Sequence, residues 1–236
     1  MNKQSFVRGL LHGVPIFLGY LAVSFSFGIF AVASGLSVLE TVLISMWNLT
    51  SAGQLAGVPI IVGGGSLFEL ALGQLVINLR YALMSVSLSQ KFDGGVRLCD
   101  RFLIAFANTD EVFAVSSSQP EAVSKSYMYG LILPPYVGWT AGTALGALAG
   151  SILPAMVMSA LSVAIYGMFV AIVVPAMRGH KATALCVLFA IALSCLFYYV
   201  PILNTVSSGF VVIICAVSAS ALFAFIAPIP KQEDKA

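Results

Sequence analysis

Apolar residues in this chain come in long continuous runs, not in strict alternation, and short polar stretches separate them. An almost uncharged run of about 20 residues leads from Val14 to Ala33. Further apolar windows lie at about 39 to 62, 66 to 90, 102 to 118, 127 to 150, 154 to 177, 182 to 200 and 205 to 227. Because a helix needs about 20 apolar residues to cross the hydrocarbon core, the windows predict seven or eight membrane segments. Transmembrane β-strands would show ten-residue alternation instead, so helices are favoured over a barrel. The predicted fold is all-α: a polytopic helical bundle forming one integral membrane domain over residues 1–236, with some segments broken or re-entrant. Ala31-Val32-Ala33 resembles a signal-peptidase site, but the run before it exceeds the roughly 7 to 15 residues of a signal-peptide core, so the first span is expected to be retained. Pro15, Pro154 and Pro201 fall near segment starts, where a missing amide proton costs least. Pro134 and Pro135 fall inside a segment and predict a kink.

Composition sharpens this picture. Of 236 residues, 60% are hydrophobic and 8% charged, with a mean hydropathy of +1.02. That is far below the roughly 25% charge of soluble domains. A net charge of +2 is too small and too scattered for a nucleic-acid surface. Cys99, Cys186, Cys195 and Cys215 show no CxxC spacing, and the two histidines, His12 and His180, lie far apart in sequence. No metal site, cofactor or catalytic triad is predicted, and the absence of HExxH and GxSxG argues against an enzyme.

Cytoplasmic loops carry excess Lys and Arg. Lys3 and Arg8, the turn from Arg178 to Lys181, and Lys231 with Lys235 all fit the cytoplasmic side. Lys91, Arg97 and Arg101 also look cytoplasmic, which conflicts with three full crossings before Lys91. Either the 39 to 62 segment is broken and re-entrant, or this loop breaks the rule. An offset of about 116 residues aligns Pro59 with Pro175 and Gly63 with Gly179, yet few other identities follow. Two related halves, common among transporters, are therefore expected from the order of spans more than from identities. Gly142, Gly146 and Gly150 are spaced by four and predict close helix packing.

Polar groups inside apolar windows are functional candidates because lipid cannot satisfy them. The stretch Asn48, Leu49, Thr50, Ser51, Ala52, Gly53, Gln54 is rich in residues that compete for backbone hydrogen bonds, and predicts a helix break near mid-membrane. A break exposes amide protons and carbonyls suited to an amino-acid zwitterion; interhelical hydrogen bonding by Asn48 and Gln54 is the structural alternative. In the next window Gln74, Asn78, Tyr81 and Ser85 fall on one helical stripe. Arg80 points elsewhere, and Glu69 is about 16 Å away along the axis. Arg80 suits either a carboxylate clamp or a structural ion pair. In Asn108-Thr109-Asp110-Glu111, the first two residues can cap a helix whose first turn carries the carboxylates. The same pair suits proton exchange if desolvated. Tyr166 and Gly167 are further mid-span candidates, for which packing is the simpler role.

At these clusters the chain resembles the AzlC family, the large subunits of branched-chain amino acid exporters. The resemblance rests on the order of Phe27-Gly28, Ser51-Ala52-Gly53-Gln54, Asn78-Leu79-Arg80-Tyr81 and Thr109-Asp110-Glu111, and it extends over nearly the whole chain. Family members often carry His where this chain has Tyr81. The resemblance implies efflux of valine, leucine, isoleucine and sometimes methionine or analogues from a bacterial inner membrane, driven by protons, with a small AzlD-type membrane subunit as partner. The expected substrate-binding residues are Asn48, Ser51, Gly53, Gln54, Asn78, Arg80 and Tyr81, and the expected proton-coupling residues are Asp110 and Glu111. A passive channel or a non-transporting assembly subunit is the competing reading.

Overall fold

The computed structural model describes residues 2–152 and 181–227, with a few positions between them (154, 156, 170, 173–175, 177 and 178). Tyr166 and Gly167, and most of the predicted 154 to 177 segment, lie outside the described residues. Among the described residues the chain is helical, and no β-strand forms beyond an isolated bridge between Phe92 and Val123.

Helix α1 (Lys3–Ala33) begins where the Asn2 side chain accepts the Gln4 and Ser5 amides, well before the apolar run at Val14. Pro15 is therefore inside the helix, not near its start. At 31 residues α1 is about 46 Å long, enough to cross a bilayer. The 39 to 62 window is two helices, α2 (Val38–Trp47) and α3 (Ser51–Val62). Ser37 and Glu40 close a reciprocal capping box at the start of α2, and Thr50 accepts the Gly53 amide at the start of α3. Helix α4 (Leu67–Ser89) is capped by Ser66. The 102 to 118 window is also split, into α5 (Leu98–Phe106) and α6 (Asp110–Ser117). Helix α7 (Lys125–Ile152) continues through Pro134 and Pro135. After α8 (Lys181–Tyr199) and a 3-10 turn (Leu203–Thr205), α9 (Ser208–Ile226) closes the described chain. Helices α1, α4, α8 and α9 are long and apolar enough to cross a membrane.

Both split segments turn back on themselves. The end of α3 returns to the end of α1: a Cβ on Gly35 would lie 3.8 Å from Val62, and Leu36 shares a buried cluster with Phe27, Ala31 and Val58. Helices α5 and α6 likewise begin and end together at the other end of the bundle. There Arg101 reaches the Ser89 carbonyl, Lys91 binds the Ser117 carbonyl, and Asp93 and Val123 exchange backbone bonds with Val123 and Lys91. With 10 and 12 residues in one hairpin and 9 and 8 in the other, no single arm reaches across the roughly 30 Å hydrocarbon core. Two re-entrant hairpins thus enter from opposite ends, and their tips, Asn48–Thr50 and Ala107–Thr109, meet beside the middle of α4. One hydrogen bond joins Thr50 to Asn78 and another joins Asn108 to Ser85.

This arrangement resolves the charge conflict. With the first hairpin re-entrant, α4 runs back toward the end that holds the start of α1. Lys3, Arg8, Lys91, Arg97, Arg101 and Lys125 then share one end of the bundle, as cytoplasmic loops require. The Asn2 amide bonded to Ser126 and the Arg8 guanidinium bonded to Gln119 tie that end together.

Helices α1 and α7 run parallel and pack backbone to backbone. An added Cβ would fall 2.2 Å from the Tyr127 carbonyl at Gly9, 2.1 Å from the Phe6 carbonyl at Gly130, and 2.0 Å from the Phe25 carbonyl at Gly146. The expected small-residue series on α7 is therefore one face of a glycine zipper, and Gly9, Gly13 and Gly28 on α1 supply the other. At the opposite flank α9 is held by Glu69. This buried carboxylate accepts the Ser207 hydroxyl and the Gly209 amide, an anion at a helix N-terminus.

Candidate functional site

The hairpin geometry puts four helix ends at one level, and they sort into two groups. The first turns of α3 and α6, represented by Ser51, Ala52, Asp110 and Glu111, line a cavity of about 670 Å³. That volume is within the usual range for small-molecule sites. Its apolar wall comes from α1 (Ile16, Val23), α7 (Trp139), the first hairpin tip (Leu49), α4 (Ile77) and Val173. Its polar side is formed by Tyr20, Ser51, Arg80, Tyr81, Asp110 and Glu111.

Arg80 is the centre of that polar side. Its guanidinium lies 2.9 Å from the Asp110 carboxylate, 3.2 Å from the Tyr81 hydroxyl, and 4.9 Å from the centroid of the Tyr81 ring. The expectation that Arg80 points away from the Tyr81 stripe is thereby corrected. The backbone directions differ, but the long side chain bends back to the cavity. The two charged side chains are 52% and 46% exposed, and an ion pair so open contributes only about 0–1 kcal/mol. Exchanging either partner for a ligand group is consequently inexpensive. The Tyr20 hydroxyl donates to Glu111, and the Tyr20 ring stands edge-on to Trp139 with centroids 5.1 Å apart.

The remaining expected residues sit behind this surface. Asn78 accepts the Thr50 hydroxyl at 2.8 Å and donates to Gln74 at 3.1 Å; Gln74 in turn binds the Gly53 carbonyl at 2.8 Å. Asn48 donates to the same Gln74 oxygen at 3.3 Å. Asn48 and Asn78 line a smaller compartment next to the cavity, with Leu49 and Tyr81 as the shared wall. Gln54 is 2% exposed and does not line the cavity. Its amide donates to Ser45 at 2.8 Å and accepts the Trp139 indole N–H at 3.0 Å, while Ser45 meets Thr143 at 2.7 Å. This network fastens the first hairpin to α7. Gln54→Ala is expected to lower the amount of folded protein recovered from membranes, because each stranded polar partner costs about 1–3 kcal/mol. Quantitative immunoblotting against the unaltered chain measures it. An unchanged amount would place Gln54 outside the structural network.

Tyr20 and Trp139 also line the cavity, and nothing in the sequence marks them for it. An aromatic residue inside an apolar span serves packing equally well, and only the aligned α1 and α7 bring the two rings to one wall.

The sequence profile described as "AzlC protein" matches residues 15–153, which contain both hairpins, α4, α7 and α1 from Pro15 onward. The chain belongs to the AzlC family. An uncharacterized membrane protein of Archaeoglobus fulgidus is 35% identical over 185 residues, 78% of this chain and 81% of its own length. The inner membrane protein YgaZ of Escherichia coli is 30% identical over 154 residues, 64% of this chain and 63% of its own. The branched-chain amino acid transport protein AzlC of Bacillus subtilis is 24% identical over 159 residues, 64% of this chain and 62% of its own. The chain thus spans less than two thirds of the latter two relatives. No solved structure matches it. In this AzlC-family chain every described residue lining the cavity except Val173 falls within the matched region.

Proposed function

We propose that this chain exports branched-chain amino acids, with valine, leucine and isoleucine as substrates and methionine or close analogues as further ones. The observation that carries the reading is the cavity of about 670 Å³, which sets the Arg80–Asp110 pair against a wall of Ile16, Val23, Leu49, Ile77 and Trp139. A substrate carboxylate replaces Asp110 on Arg80, aided by the positive end of α3 at Ser51, and the substrate ammonium replaces Arg80 on Asp110. The aliphatic side chain takes the apolar wall. Asn48, Gly53 and Asn78 support this surface through Gln74 and Thr50, and Tyr81 orients the guanidinium. The name of the Bacillus subtilis relative supports the substrate class.

Export is driven by the proton gradient, with Asp110 and Glu111 as the exchanging carboxylates. The protein works in a bacterial plasma membrane as one transport domain, together with a small AzlD-type subunit. Proteoliposomes loaded with labelled leucine, with and without that subunit, test the reading: transport proceeds against a leucine gradient and collapses with a protonophore. Transport that only follows the leucine gradient would mark a passive channel. Glu111→Gln is expected to flatten the pH profile of export more than it changes its half-saturating leucine concentration, whereas Asp110→Asn, which also loses the contact to the substrate ammonium, is expected to change both. Unaltered pH profiles in both variants would remove these residues from coupling.

A further inference from the structure

The second compartment, about 170 Å³ in volume, collects the opposite helix ends. Trp47 and Asn48 bring the C-terminus of α2 to it, and Ala105 and Phe106 bring the C-terminus of α5. Helix C-termini carry partial negative charge and terminal carbonyls left over by the helix; here Ile104 and Ala105 accept the Ala107 and Asn108 amides and Met46 accepts the Tyr136 hydroxyl, which leaves the Trp47 and Phe106 carbonyls. Two such termini therefore reach one small space, which the N-cap residues Thr50 and Thr109 also line, while the first turns of α3 and α6 line the larger cavity beyond Leu49 and Tyr81.

A second, independent observation lies in the side chains. Asn108 and Thr109 are 3% and 4% exposed, and both line the compartment. Asn108 Oδ1 and Thr109 Oγ1 have no hydrogen-bond partner. The Asn108 amide nitrogen is used, donating to Ser85 at 3.1 Å, so its oxygen is the end left over. Thr109 is the N-cap residue of α6 but makes no side-chain cap bond, unlike Thr50 at the corresponding place on α3. Native proteins seldom leave such acceptors unmatched.

We infer that the compartment between the two hairpin tips binds a monovalent metal cation, sodium in the first instance, through Asn108 Oδ1, Thr109 Oγ1 and the terminal carbonyls of α2 and α5. The donor set is made of neutral oxygens. No carboxylate lines the compartment among the described residues, whereas divalent sites draw on carboxylates, and no thiol or imidazole lines it to select a transition metal. Neither Lys nor Arg is among its lining residues to repel a cation. Half-helix C-termini and unwound carbonyls hold sodium in other broken-helix membrane proteins. By bridging both tips, the ion would fix the spacing of the hairpins, and hence of Ser51 and Asp110, whichever solute occupies the larger cavity.

The test uses the purified full-length chain in detergent, without any amino acid, so it is independent of the transport reading. Thermal unfolding is followed in NaCl, KCl and N-methylglucamine chloride at equal ionic strength. The expected result is a midpoint about 2–4 °C higher in sodium or potassium than in N-methylglucamine. Thr109→Val keeps the shape and loses no cap bond, and it is expected to abolish that difference; Asn108→Ala is the second variant. Equal midpoints in all three salts would overturn the site and assign the two oxygens to water. A metal-dependent rise retained in Thr109→Val, and in Asn108→Ala where that variant folds, would overturn the assignment of the ligands.

Discussion

Arg80→Ala is expected to raise the leucine concentration for half-maximal export by roughly 10- to 100-fold, with membrane abundance unchanged. A hydrogen bond to a charged group is worth about 1.5–3 kcal/mol, and each 1.4 kcal/mol is tenfold in affinity. Stability should be insensitive because the Arg80–Asp110 pair is half exposed. Arg80→Lys keeps the charge but not the fork that meets a carboxylate with two parallel donors, so an intermediate loss is expected. Initial rates of labelled leucine export from proteoliposomes, normalised to reconstituted protein, supply the measurement. An Arg80→Ala chain with unaltered half-saturation would remove Arg80 from substrate recognition.

The second large effect concerns assembly. Gly146→Val is expected to abolish accumulation of folded protein, because even the first added carbon would lie 2.0 Å from the Phe25 carbonyl, a backbone atom with no room to retreat. Restoring ordinary contact means separating α1 from α7 along the zipper and opening the cavity wall that carries Tyr20 and Trp139. Gly73→Ala is the control. Nothing lies within 4 Å of a Cβ there, and alanine favours a helix interior over glycine by about 1 kcal/mol. Fluorescence-detected size-exclusion profiles of both variants distinguish the outcomes. A monodisperse Gly146→Val protein at normal yield would show that α1 and α7 can part without collapse.

How much of this was legible in the sequence depended on whether a feature was local. The break at Asn48–Thr50 could be read because its residues compete with the helix for the same hydrogen bonds. The break at Ala107–Thr109 was legible only as a cap, since Phe106 and Ala107 continue an apolar run and nothing local says that α5 and α6 return to one end. That return is made by the backbone bonds between Lys91, Asp93 and Val123, which are remote in sequence. The cluster of Lys91, Arg97 and Arg101 pointed to the re-entrant solution without selecting it. Spacing by four announced the glycine zipper on α7, but not that α1 would be its parallel partner. Gln54 could be marked as a polar residue in lipid. Its use as a structural tie instead of a cavity surface depended on Ser45, Trp139 and Thr143, which arrive from two other helices. The comparison of halves falls largely on residues 153–180, most of which lie outside those described.

The glycine zipper also bears on movement. Helices whose backbones touch along their full length cannot slide or tilt against each other without steric conflict, so α1 and α7 act as a stator. The opposite wall of the cavity, formed by the short hairpin arms and α4, meets that pair through side-chain hydrogen bonds and the apolar cluster of Leu36 and Val58 with Phe27 and Ala31, and α9 is fastened to it through Glu69. If the proposed export opens the cavity first to one side and then to the other, that rearrangement would fall to that wall. The hairpins, entering from opposite faces, would serve as its two doors.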